Sequence, residues 1–123
     1  MHFQQQPFSE TNLIRCVQGA VYDVAVDIRK GSSTFLQHAG IELSADNMMS
    51  ILIPEGFAHG FQVLEDNTAL IYHHTAFYRS EADAGLRFDD PGLNIHWALP
   101  PVNVSDKDKN YKLLDKNFQG ISL

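Results

Sequence analysis

Six histidines, four tyrosines and one cysteine are the side chains of this chain best able to move a proton or hold a ligand. His59 and Tyr72 are the best placed of them, both within the stretch Ser50–Thr75. Pro54 and Gly56 break an apolar run there and start another, on which Phe57, His59 and Phe61 alternate to one face. Leu70, Tyr72 and His74 share a face of the next run. An imidazole and a phenol delivered into an apolar, concave setting are the material of a small-molecule pocket, with this stretch as one wall. Two roles stand open for His59, a hydrogen-bonded core or pocket-wall residue and a direct ligand contact. Tyr72 reads as a pocket residue or a core tyrosine.

Other chemistries have less to draw on. His73 and His74 are adjacent, so on a strand they point to opposite faces and cannot chelate one ion together. A catalytic zinc site needs three converging protein ligands. Pro54-x-Gly56-x-x-His59 matches half of the signature of metal-binding cupins. The other half, a His-x-His pair with a downstream Glu on an early strand, is absent. A metal-dependent enzyme is kept as an alternative. His38 and His96 read as surface or loop histidines. No G-x-S-x-G elbow and no glycine-rich phosphate loop is present. Cys16, in Leu-Ile-Arg-Cys-Val, reads as a small buried hydrophobe, and a single cysteine excludes an internal disulfide.

The elements that would position these groups are strands. Val21, Asp23, Ala25 and Asp27 alternate with Tyr22, Val24, Val26 and Ile28, the clearest strand pattern in the chain. Leu13–Val17 and Thr34–Leu43 read as further strands, and His2–Gln6 as the start of a short one that Pro7 ends or loosens. Turns are expected at Lys30–Ser33 and Ser44–Asn47, and Glu65–Asn67 is expected to close a hairpin. Leu93–Trp97 reads as a brief strand. Ser105 is placed to cap a short terminal helix. Short strands with turn signals about every 8–12 residues indicate an antiparallel sandwich or barrel. No linker divides residues 1–123, which read as a single domain. A net charge of −6 gives no basic footprint for nucleic acid. No apolar run approaches the roughly 18 residues that span a bilayer, and the N-terminus has no export signal. These features point to a soluble, cytoplasmic protein.

Motifs in order add a resemblance. His2-Phe3-Gln4, Leu13-Ile14-Arg15-Cys16-Val17, Val21 through Ser32, Pro54 through Phe61, Leu86 through Pro91 and Ile95-His96-Trp97 follow one another along nearly the whole chain. In this the chain resembles the dTDP-4-dehydrorhamnose 3,5-epimerase family. That resemblance implies an all-β, cupin-type antiparallel jelly roll with a short irregular or helical C-terminal segment. It implies proton abstraction next to a 4-keto group on a dTDP-sugar, in deoxysugar and O-antigen biosynthesis, with no metal or redox cofactor. His2 matches the family's base, Asp108 the carboxylate that orients it, and Tyr72 the proton donor. Tyr78 matches an aromatic position near the substrate, and Lys107 is within reach of a diphosphate; His59 and His74, from the strand reading, are further candidate substrate contacts. Asn12 stands where the family carries a lysine that stabilises the enolate, a role left to His73 or Arg15. The N-terminal part of the family's length, with an arginine ahead of the base, has no counterpart here. A homodimer is expected, because the exposed strand edges need covering. The alternative to an epimerase is a non-catalytic cupin that binds a sugar nucleotide or another small ligand.

Overall fold

The computed structural model describes residues 1–123. Its strands are β1 (His2–Gln4), β2 (Asn12–Gln18), β3 (Ala20–Asp27), β4 (His38–Ser44), β5 (Ser50–Ile53), β6 (Phe57–Val63), β7 (Ala69–His74) and β8 (Asp83–Gly85), followed by one helix, α1 (Asp106–Asn110). They form two antiparallel sheets, a larger one in the order β4-β3-β6-β1-β8 and a smaller one in the order β5-β2-β7. The all-β sandwich with a short C-terminal helix is the expected architecture.

The alternation along β3 explains why it sits at the centre. Val21 faces the small sheet and packs with Ile14, Cys16, Leu43 and Ile53 between the layers. Val24, Val26 and Ile28 join Met1, Ala58, Leu86 and Leu93 in a second core. The irregular C-terminal half covers that second face, with Ile95, Trp97, Leu114, Phe118 and Ile121 against it. The central strand β3 is therefore buried on both sides, and each fully buried Ile, Val or Leu contributes about 1.5–3 kcal/mol. Asp90 holds the covering segment without regular structure. Its carboxylate accepts from Gly92 N at 2.7 Å and Leu114 N at 2.6 Å.

Three expectations change. The strand expected over Thr34–Leu43 begins only at His38. Asp27 is the reason: its buried carboxylate accepts from Ser32 Oγ and Thr34 Oγ1, each at 2.6 Å, and so draws residues 32–34 into a loop. Leu93–Trp97 forms no strand: it crosses the core as irregular chain, with Ile95 and Trp97 packed against that core and Trp97 Nε1 donating to Phe88 O at 2.9 Å. The most consequential change concerns Ser50–Thr75. Glu65–Asn67 closes no hairpin, since β6 belongs to the large sheet and β7 to the small one. The stretch passes from the small sheet (β5) to the large one (β6) and back (β7), so it contributes to both walls of the interior rather than one.

Candidate active site

His2 lies on β1 opposite His59 on one side and Gly85 on the other. Directly opposed residues of an antiparallel pair project to the same face, so His2 and His59 share the inner face of the large sheet. Helix α1 reaches His2 from the sheet edge. Ser105 caps it, accepting from Asp108 N at 3.1 Å and donating to Asp108 Oδ2 at 2.5 Å. The other carboxylate oxygen meets His2 Nε2 at 2.7 Å. A carboxylate only accepts, so Nε2 carries the proton and Nδ1 keeps its lone pair. The imidazole is 41% exposed, with the ring of Tyr111 edge-on at 5.6 Å. Burial is the main reason its pKa lies below the ordinary value, and Asp108 opposes that shift. For Asp108, burial pushes upward, but the hydrogen bonds from Ser105 and His2 outweigh it and hold the carboxyl low.

A second imidazole–carboxylate pair lies deeper. His59 Nε2 sits 2.9 and 3.0 Å from the two oxygens of Asp23, which is fully buried between the sheets. Facing them from β7 is Tyr72, its ring 5.9 Å from that of His59 and stacked on His74 at 5.6 Å. Burial first, and then the charge of Asp23, raises the pKa of the Tyr72 phenol, which stays protonated through neutral pH. His74 Nδ1 in turn meets Glu10 Oε2 at 3.1 Å. Asn12 is opposite His74 on β2, and its Oδ1 is buried with no hydrogen-bond partner. An open cleft of about 440 Å³ adjoins this cluster, lined by Glu10, His74, Thr75, Ala76, Phe77 and Tyr78. A larger one of about 640 Å³ lies between Arg29–Ser33 and Ile121–Leu123. It contains none of the histidines, and the chemistry does not centre there.

His2 and Asp108 are in contact, and His59, Tyr72, His74 and Asn12 gather on the facing walls. Tyr78 stands exposed at the cleft. Lys107 is not free, because its ammonium is engaged by Asp83. Arg15 and His73 lie on the outward face of the small sheet, as their pairing with Ile71 and Leu13 requires, so neither supplies a cation beside Asn12. Two further residues belong to the site. Asp23 is betrayed only by its place in an apolar strand, where a buried carboxylate needs a partner. Gln4 holds the cleft's rim, donating to Phe8 O and Phe77 O and accepting from Arg79 N at 2.6 Å. No group of three histidine, cysteine or carboxylate side chains is arranged to hold a metal ion. No helix is long and apolar enough to cross a membrane.

The family described as dTDP-4-dehydrorhamnose 3,5-epimerase matches residues 1–116. The dTDP-4-dehydrorhamnose 3,5-epimerase of Shigella flexneri is 44% identical over 119 residues, which are 96% of this chain and 66% of that protein. The crystal structure of the Bacillus anthracis enzyme, with TDP and PPi bound, aligns at a TM-score of 0.89 and 45% identity, covering 92% of this chain and 65% of that one. The Legionella pneumophila dTDP-6-deoxy-D-glucose-3,5-epimerase, in complex with dTDP-4-keto-L-rhamnose, aligns at 0.89 and 39% identity, covering 99% and 66%. The chain thus spans just under two thirds of the length of these relatives.

Proposed function

This chain belongs to the dTDP-4-dehydrorhamnose 3,5-epimerase family, and from that premise we propose that it epimerises a 4-keto sugar nucleotide. The observation that carries the reading is an imidazole oriented by Asp108 on β1, beside His59 of the same sheet, whose ring meets the protonated Tyr72 phenol of the facing sheet. The ketone acidifies the neighbouring C–H bonds. His2 Nδ1 takes a proton from one ring face, and the electron pair moves to the ketone oxygen as an enolate. Asp108 stabilises the imidazolium that forms. Tyr72 then gives its proton to the opposite face of the same carbon. The amide of Asn12 supplies a hydrogen bond at the enolate, and the Asp23-bound His59 lines the wall beside it. His74 and Tyr78 flank the bound ligand. The relatives' ligands, TDP and dTDP-4-keto-L-rhamnose, support a dTDP-sugar as substrate. We further propose a cytoplasmic homodimer.

One observation favours a second reading. Asn12 is uncharged and no lysine or arginine takes its place, so a sugar-nucleotide binder without turnover fits the same pocket. Removing one enolate-stabilising group typically costs about 10²–10³ in rate. The experiment is incubation of a 4-keto sugar nucleotide with the protein in D2O, read by mass spectrometry. Deuterium uptake at C3 or C5 that falls by about 10²–10⁴ in His2→Ala is the expected result. Tight dTDP binding without uptake would instead establish the non-catalytic reading.

A further inference from the structure

Helix α1 has five residues, none of them buried, yet it carries the carboxylate that meets His2. So short a helix is not stable by itself, and with no apolar face it owes its position to its surroundings. The Ser105 cap is internal to the segment, and the Asp108–His2 bond is the contact to be positioned. The Lys107–Asp83 ion pair is independent of both. Asp83 begins β8, the strand next to β1, and the register sets Asp83 opposite Gln4 and Gly85 opposite His2. The Asp83 side chain is only 16% exposed, so solvent screens the pair less than a fully exposed one. The far end of the segment is seated on the same strand. The Tyr111 ring lies where a Cβ on Gly85 would fall and touches His2 edge-on.

We propose that Asp83 and Lys107 form a latch that positions Asp108 against His2, with Gly85 as the seat for Tyr111. Asp83 and Lys107 are positioning residues and touch no reacting atom. The proposal rests on the reading of His2 as the base, and it replaces a diphosphate contact as the role of Lys107. The bond to Asp83 also raises the pKa of Lys107, as a persistent ion pair requires.

The test uses the full chain and the variants Asp83→Asn, Lys107→Gln and the exchanged pair Asp83→Lys/Lys107→Asp. Each is read by deuterium-uptake kinetics and by NMR titration of His2. Asp83→Asn is expected to lower kcat about 10- to 100-fold, the scale of a slight misplacement, with KM changed less than about twofold. The His2 pKa should fall further as Asp108 loosens. Lys107→Gln should match it in kcat, and the exchanged pair should recover most of the loss. Unchanged kcat and an unchanged His2 titration in Asp83→Asn would overturn the latch. So would a Lys107→Gln variant that raises KM alone, which would assign Lys107 to the ligand. If the unmodified protein takes up no deuterium, the epimerase reading fails separately, and the His2 titration still decides the latch.

Discussion

At the scale of residues, the site separates two acid–base tasks by environment. Tyr72, enclosed and near the Asp23 carboxylate, is held in its protonated form. His2, partly open to solvent, is held toward its neutral form, mainly by burial. A lowered histidine pKa keeps the base competent from neutral pH down to below about 6.5, the value of a free imidazole. The acid limb of the kcat/KM profile is therefore expected to have its midpoint below that of free imidazole. Asp108→Asn removes an influence that raises the His2 pKa, so its limb should move to still lower pH while the plateau rate drops. A limb that moves upward in Asp108→Asn would contradict this coupling. Asn12 marks the other feature of this scale. A buried amide oxygen without a partner costs about 1–3 kcal/mol, and a bound ligand is the natural relief of that cost.

Elements are shaped by buried carboxylates as much as by apolar alternation. Asp27 ends β3 and accepts five hydrogen bonds: from Arg29 N, Nε and Nη2 at 3.0, 2.9 and 2.7 Å, and from Ser32 and Thr34. That cluster folds residues 29–34 into a loop that no hydrophobic pattern announces. Arg29 then reaches over the ring of Phe57, 4.7 Å from its centre, and ties the loop to the start of β6. The Arg29 guanidinium, ahead of every other cause, holds the Asp27 carboxyl well below the usual carboxylate range. The sign follows: this stability is present above the ordinary carboxyl pKa and is lost as pH falls through the lowered one. Asp27→Ala is expected to cost about 1.5–3 kcal/mol in urea unfolding at neutral pH, from the lost charge-assisted hydrogen bonds. A loss under about 1 kcal/mol would mean that Arg29, Ser32 and Thr34 simply return to water.

For the whole molecule, the two sheets are covered unequally. The central strand β3 of the large sheet is packed on both faces, but the small sheet presents Leu13, Val17, Leu52 and Ile71 outward, with Leu52 63% exposed. The register places Leu13 directly opposite Leu52 on that face. Arg15 and His73 share this face, and we propose that its apolar residues pack against a second copy of the chain. Light scattering at micromolar concentration should give twice the chain mass, and Leu52→Lys should shift it toward the monomer. A monomer in the unmodified protein would remove the dimer from the account.

How much of this was legible in the sequence depended on the range of the interaction. Strand alternation placed His59 and Tyr72 on inward faces, the turn chemistry of Pro54 and Gly56 placed the break between β5 and β6, and Ser105 announced its helix. The His2–Asp108 pair, 106 positions apart, was reachable only through resemblance to a family. Asp23 carried no sign of His59, 36 positions away. Period-two alternation assigns a side chain to a face, because that is settled by the backbone of one strand. It leaves open which sheet the strand joins, because that depends on partners distant in the chain and on the burial they share. Only the tertiary structure sent β6 to one layer and β7 to the other, and so turned one continuous stretch into two facing walls.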